Sequence, residues 1–100
     1  MMKIPEKVRR LEKLVGNTPT ISLHCSIDDK NINILAKYEA KNFTGSIKDR
    51  MALQIIKSAY KIGTLKSGDT IVEATSGNTG IAFAAMGAFL GHKVEIYMPE

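Results

Sequence analysis

A turn of small residues between two apolar segments constrains this chain more than any other feature. Ile71, Val72 and Ala74 end an apolar strand, and Ile81 to Leu90 is apolar on nearly every side, as a helix packed on a sheet would be. Between them runs Glu73-Ala74-Thr75-Ser76-Gly77-Asn78-Thr79-Gly80. Gly77 and Gly80 let the backbone come close to a ligand, several N–H groups converge at the helix start, and the helix dipole favours negative charge there. Thr75, Ser76, Asn78 and Thr79 add short side chains that can donate to carboxylate oxygens. The same residues also suit a plain N-cap with a glycine for tight packing, and at this level both readings stand. The third glycine of G-x-G-x-x-G and the Gly-Lys-Ser/Thr of a P-loop are missing, so a small carboxylate fits the turn better than a phosphate.

The flanking sequence completes one beta-alpha-beta unit over 70–98. Lys66-Ser67-Gly68-Asp69 turns into a strand at Thr70 to Ala74, Gly91 ends the helix, and Lys93 to Met98 is the returning strand. Upstream, Pro5 opens a short amphipathic helix with Val8, Leu11 and Leu14 or Val15 inward, ended by Gly16. Gly16-Asn17-Thr18-Pro19 is a turn, Thr20 to Leu23 a short strand that His24 ends, Asp28 to Asn33 a polar loop, and Ile34 to Tyr38 a second strand. Ser46 followed by Asp49 forms a variant of the capping box, opening a helix with Met51, Ala52, Ile55, Ile56 and Ala59 on one face and Gly63 at its close. No repeat or Ser/Gly linker divides the chain, so residues 1–100 are expected to form one partial unit without an internal boundary.

Composition matters here for what it excludes. The charge of +4 arises in residues 1–50, with ten Lys/Arg against six Asp/Glu, and that excess is dispersed and not interleaved with aromatics. Nucleic-acid binding is therefore not expected. The apolar run at 81–90 is far shorter than the ~20 residues of a membrane span, so no membrane association is expected. Cys25 is alone and no Cys/His cluster has metal-ligand spacing, which points to no disulfide, no metal and a reducing, cytoplasmic setting.

One charge sits where helix propensity does not explain it. Lys48 falls in the first turn of the Ser46 helix, at the positive end of the dipole, with Arg50 close by. The dipole, a neighbouring cation and burial would each favour the neutral amine that a nucleophile or base requires. A surface lysine tolerating a mild penalty is the plainer alternative. Read together, an amine of this kind and a carboxylate cradle are two of the parts that pyridoxal phosphate chemistry on an amino acid uses.

Three stretches in order, Gly16-Asn17-Thr18-Pro19, Asn42-Phe43-Thr44-Gly45-Ser46-Ile47-Lys48-Asp49-Arg50 and Glu73 to Gly80, make the chain resemble the cysteine synthase (O-acetylserine sulfhydrylase) and cystathionine beta-synthase family, fold type II pyridoxal 5'-phosphate enzymes. The resemblance implies an α/β fold, here the N-terminal part of a tryptophan synthase beta-like architecture with a partial parallel sheet flanked by helices. It implies that Lys48 carries the cofactor as a Schiff base and later removes the α proton. Asn78 would bond the ring's phenolate oxygen, and Thr75, Ser76, Gly77 and Thr79 would hold the substrate carboxylate. The implied activity is beta-replacement on an activated serine, O-acetylserine plus sulfide giving cysteine and acetate. The cystathionine beta-synthase type, with serine and homocysteine, is the alternative within the class. A homodimer is the implied assembly of the full-length enzyme.

Family members are much longer, and the loop that grips the cofactor phosphate lies beyond position 100. The chain is therefore expected to be the front third of such a protein, with little activity alone. Bare apolar faces should leave it partly molten, self-associating or dependent on a partner. A reading from another class is a non-catalytic module whose beta-alpha-beta unit binds a small carboxylate or serves as an interaction surface.

Overall fold

The computed structural model describes residues 3–100. Its elements run α1 (Glu6–Glu12), β1 (Thr20–Ile27), β2 (Lys30–Lys37), a 3-10 turn (Glu39–Lys41), α2 (Lys48–Ile62), β3 (Ile71–Ala74), α3 (Asn78–Leu90) and β4 (Val94–Tyr97).

The beta-alpha-beta unit forms as its sequence predicts. β3 and β4 pair in parallel with Ile71 opposite Val94 and Ala74 opposite Tyr97, and α3 connects them. α3 buries Ala82, Phe83, Met86 and Leu90, which gather with Val8 and Leu11 of α1 and with Ala52, Ile56 and Tyr60 of α2 into one core. The approach of α3 to the sheet is close: a Cβ on Gly87 would collide with Val94 Cγ2, and one on Gly80 would stand 2.9 Å from Thr75 Cγ2. Gly63 and Gly91 end α2 and α3 in the left-handed region, at φ 83° and 86°, where a Cβ would be strained.

A buried polar contact ties the far end of α2 to this unit. His92 is 5% exposed, and its Nδ1 donates to the Asp69 carbonyl at 2.7 Å, which leaves Nε2 to accept the Tyr60 hydroxyl. Burial, with the Asp69 charge adding to it, pushes the Tyr60 hydroxyl above its usual range and keeps it a donor.

The first half departs from the expectation in extent. Strand β1 does not stop at His24, and residues 28–33 are not a loop. β1 and β2 form one antiparallel hairpin of eight-residue strands around Asp28-Asp29, both at positive φ (50° and 62°), as a tight two-residue turn requires. His24 lies mid-strand opposite Asn33, its Nδ1 2.5 Å from Asn33 Oδ1. The register places Ile21, Leu23, Cys25 and Ile27 on the same face as Ala36, Ile34 and Ile32. That face is apolar and largely exposed.

Helix faces also differ from the periodicity. α1 ends at Glu12, leaving Leu14 exposed and Val15 half-buried against the core. In α2 the buried row is Asp49, Ala52, Ile56 and Tyr60, while Met51 and Ile55, expected inside, are exposed. The inward direction is set by where α3 lies, and hydrophobicity alone does not distinguish Ile55 from Ile56.

Candidate active site

The first half of the site is the segment that delivers Lys48. Asn42, 6% exposed, accepts the Phe43 N–H at Oδ1 (3.0 Å) and donates from Nδ2 to the Ser46 carbonyl (3.0 Å), closing the loop on itself. Phe43 meets Phe89 of α3 edge to face, ring centroids 6.2 Å apart, which fastens the loop to the core. Ser46 and Asp49 do not form a capping box. Ser46 Oγ accepts the Lys48 N–H (3.2 Å), whereas the Asp49 carboxylate, fully buried, turns back to accept the Thr44 N–H at 2.6 Å and the Thr44 hydroxyl at 2.5 Å. Asp49 thus caps the loop instead of the helix. It still places a negative charge in the first turn, where the dipole favours it.

Lys48 is the first residue of α2 and is exposed. The burial expected of its side chain is therefore not found. The Arg50 charge is engaged elsewhere: Nε donates to Glu39 Oε1 at 2.5 Å and Nη2 to Glu39 Oε2 at 3.2 Å. Among the described residues no carboxylate pairs with Lys48; the ion pairs are Arg50–Glu39, Lys57–Glu12 and Lys93–Glu95.

The Arg50 guanidinium first, and the Thr18 hydroxyl second, hold the Glu39 carboxyl down at about 2, against an ordinary value of 4.5. A carboxyl lowered in the folded state adds stability above its unfolded value, and that stability is lost as pH falls through the folded one. The denaturation midpoints of wild type and Glu39→Gln are expected to differ by a constant amount above pH 4.5 and to converge as pH drops towards about 2. The gap is modest because the Arg50 side chain is 40% exposed and solvent screens the pair. Convergence already at neutral pH would contradict this assignment.

The second half is the start of α3. The helix begins at Asn78, so Asn78, Thr79 and Gly80 belong to its first turn and only Thr75 to Gly77 remain as connection. Gly77 occupies the cap position and no side chain caps the helix, although Thr75, Ser76, Asn78 and Thr79 surround it. The first intrahelical bond runs from the Ile81 N–H to the Gly77 carbonyl at 3.3 Å. The Thr75 N–H donates to the Tyr97 carbonyl at 3.0 Å, whereas the N–H groups from Ser76 to Gly80 have no partner among the described residues, as is usual at a helix start. Ser76, Gly77 and Asn78 are exposed, and Thr75 and Thr79 half-buried. Free donors beside short hydroxyls are chemically able to take a carboxylate; of the plain reading, the side-chain cap does not form, while the glycine for tight packing is found at Gly80.

Lys48 and the Thr75–Thr79 turn thus occupy the N-termini of two helices packed on each other within one core. Sequence reasoning missed Asn42, Thr18, Glu39 and Arg50 as the frame around Lys48. The ties span 26 residues from Gly16 to Asn42 and 32 from Thr18 to Arg50, a separation that local patterns cannot reveal.

A family model described as "Pyridoxal-phosphate dependent enzyme" matches residues 11–100, which include both halves of the site. Cysteine synthase 1 of Emericella nidulans is 48% identical over 93 residues, covering 93% of this chain and 25% of its own length. Cysteine synthase B of Salmonella typhimurium is 46% identical over 90 residues, covering 90% of this chain and 30% of its own. The chain therefore spans under a third of the curated relatives it matches. Among solved structures, a hydrogen sulfide-producing enzyme of Fusobacterium nucleatum superposes with a TM-score of 0.87 at 55% identity, over 94% of this chain and 28% of that one. A family match across nine-tenths of the sequence, over a fold that carries both motifs at helix starts, establishes that this chain belongs to the pyridoxal-phosphate dependent enzyme family.

Proposed function

We propose that this chain supplies the cofactor lysine and the substrate-carboxylate turn of a cysteine synthase, which replaces the β-substituent of O-acetylserine with sulfide. The observation that carries the reading is the family match over residues 11–100, a span that contains both Lys48 and the Thr75–Thr79 turn. The residues present fit pyridoxal phosphate: Lys48 offers an exposed amine with no carboxylate partner among the described residues, and the uncapped α3 start offers donors to an amino-acid carboxylate.

Lys48 Nζ would hold the cofactor covalently and Asn78 would orient its ring. When bound, the cofactor supplies an electron sink for the pair released at the substrate's α-carbon. The amides of the α3 start, with the Ser76 and Thr79 hydroxyls, would fix the carboxylate and so hold the amino acid. The Lys48 amine, when free, would take the α proton as general base and return it after substitution at the β-carbon. Acetate leaves from the β-carbon and hydrosulfide adds there. As part of the same reading the holoenzyme is a cytoplasmic homodimer. The exposed Met51 and Ile55 and the apolar hairpin face support further burial in such an assembly.

A second reading, sulfide release from cysteine, is favoured by the Fusobacterium nucleatum relative, named for hydrogen sulfide production and 55% identical. It uses the same proton removal by Lys48 and differs only in leaving group and in what adds at the β-carbon.

Ser76→Ala and Thr79→Ala in the holoenzyme are expected to weaken amino-acid binding about 5- to 10-fold each, the equivalent of one hydrogen bond, while leaving cofactor affinity unchanged. Spectral titration with O-acetylserine and with cysteine measures the first, and equilibrium dialysis of pyridoxal phosphate the second. Equal loss of both affinities would make the turn purely structural. Turnover with O-acetylserine plus sulfide, compared with sulfide release from cysteine alone, separates the two readings.

A further inference from the structure

The Gly16-Asn17-Thr18-Pro19 turn has no part in the chemistry above, yet the segment carrying Lys48 is tied to it on both sides. On one side the Gly16 N–H donates to Asn42 Oδ1 at 2.8 Å, and the same Asn42 side chain holds the Ser46 carbonyl, two residues before Lys48. On the other side the Thr18 hydroxyl, on a residue 4% exposed, donates to Glu39 Oε2 and accepts from Arg50 Nη2 (3.1 Å), two residues after Lys48. The Arg50 fork closes on both Glu39 oxygens, and Lys37 Nζ donates to the Thr18 carbonyl from the end of the hairpin. Gly16 sits at φ 80°, where a side chain is strained, and a Cβ there would stand 3.2 Å from Arg50 Nη1, so the guanidinium would have to shift by a few tenths of an ångström.

We propose that this turn is the seat that sets the position of the Lys48 amine, with Thr18, Asn42, Glu39 and Arg50 as positioning residues. The inference rests on the reading of Lys48 as the cofactor lysine. Lys48 is exposed and its backbone N–H is the group the fold holds, so its side chain inherits its placement from residues 46 and 50. The apolar core grips α2 itself from Ala52 onward, with Ile56 and Tyr60, and Asp49, though buried at the helix start, is bonded within its own loop to Thr44. The helix start therefore takes its register from the polar seat, and a planar fork with a fixed hydroxyl defines a geometry that a flexible ammonium cannot. Displacement of a reacting group by about 1 Å costs on the order of 100-fold in rate, which makes such a seat consequential.

The test uses the native holoenzyme, stripped of cofactor and given pyridoxal phosphate, with borohydride trapping and peptide mapping to follow covalent capture at Lys48. Thr18→Val is expected to slow capture on the order of 10- to 100-fold, and Thr18→Ser to restore most of it. Tyr60→Phe, which loosens the distant end of α2, is expected to lower the thermal midpoint without slowing capture. Capture by Thr18→Val at the wild-type rate would overturn the proposal, as would equal slowing in Tyr60→Phe at matched stability loss. If Thr18→Val does not fold, Arg50→Lys takes its place with the same two outcomes, since it keeps the charge and removes the fork. Trapping at a lysine other than Lys48 in the wild type would instead remove the reading on which the proposal stands.

Discussion

Lys48→Ala in the holoenzyme is expected to abolish covalent capture of pyridoxal phosphate and to lower turnover by at least ~10²- to 10⁴-fold, the range for loss of a general base alone. The actual loss should exceed that range, because on the proposed reading one amine provides both the covalent anchor and the base, and the lysines nearest in sequence are placed elsewhere. Lys41 lies in the 3-10 turn before the Asn42 loop, and Lys57 is paired with Glu12 at 2.8 Å. The fold should not register the change. Lys48 is exposed, the tie it makes to Ser46 Oγ uses its backbone N–H, and alanine supplies the same N–H with a better helix propensity. A stability within the ~0.5 kcal/mol of wild type expected of a surface substitution, together with lost capture, separates a chemical role from a structural one. Borohydride reduction that places the label on Lys41 or Lys57 in the wild type would refute the assignment.

The part of the fold legible in the sequence is the part whose signals are local. Gly63 and Gly91 mark helix ends because a left-handed residue must follow each helix, and the chain between them alternates apolar segments with turn residues. The hairpin was also within reach of sequence reasoning. Ile21, Leu23, Cys25 and Ile27 alternate, as do Ile32, Ile34 and Ala36, and a pair of aspartates can adopt the positive φ of a two-residue turn. Polar Asn31 and Asn33 obscured it, because they belong to the other face of an exposed strand and together resemble a loop. The capping box illustrates the opposite limit. Ser46 and Asp49 have the spacing, but Thr44 offers Asp49 two donors inside the loop, and a buried carboxylate takes the pair over one exposed amide. As for the site, Lys48 and the 75–79 turn were visible as a charge against the dipole and a cluster of small residues at a helix start. The frame around Lys48 was not, since Thr18, Glu39 and Arg50 meet only after the hairpin has reversed the chain between them.

Asp49→Ala is expected to destabilise the protein by about 3 kcal/mol or more, a large share of the ~5–15 kcal/mol that holds a domain of this kind. Asp49 is fully buried, and its two oxygens have different partners: Oδ2 accepts the Thr44 N–H and Oδ1 the Thr44 hydroxyl. Hydrogen bonds to a charged acceptor contribute about 1.5–3 kcal/mol each, and truncation leaves both donors of a half-buried threonine facing a void. The favourable charge at the start of α2 goes as well, worth a further ~0.3–1 kcal/mol. Asp49→Asn should fall between wild type and alanine. Its carbonyl can still take the Thr44 N–H, and its amide can donate to the hydroxyl if that group reverses its role, but neither bond is charge-assisted any longer. Thr44→Val, which removes the hydroxyl and keeps the N–H, should cost only about 1 kcal/mol. The order Ala, Asn, Val in decreasing loss, read from denaturant midpoints at constant slope, is the signature of a carboxylate capping its own loop. Were Asp49 a simple helix-start charge, Asn and Ala would lose alike and within ~1 kcal/mol, and Thr44→Val would have no effect. The loop so capped carries Ser46 and Lys48, so loss of the Asp49 bonds should also raise amide exchange at Thr44 to Lys48 ahead of global unfolding, whereas an intact loop would exchange with the core.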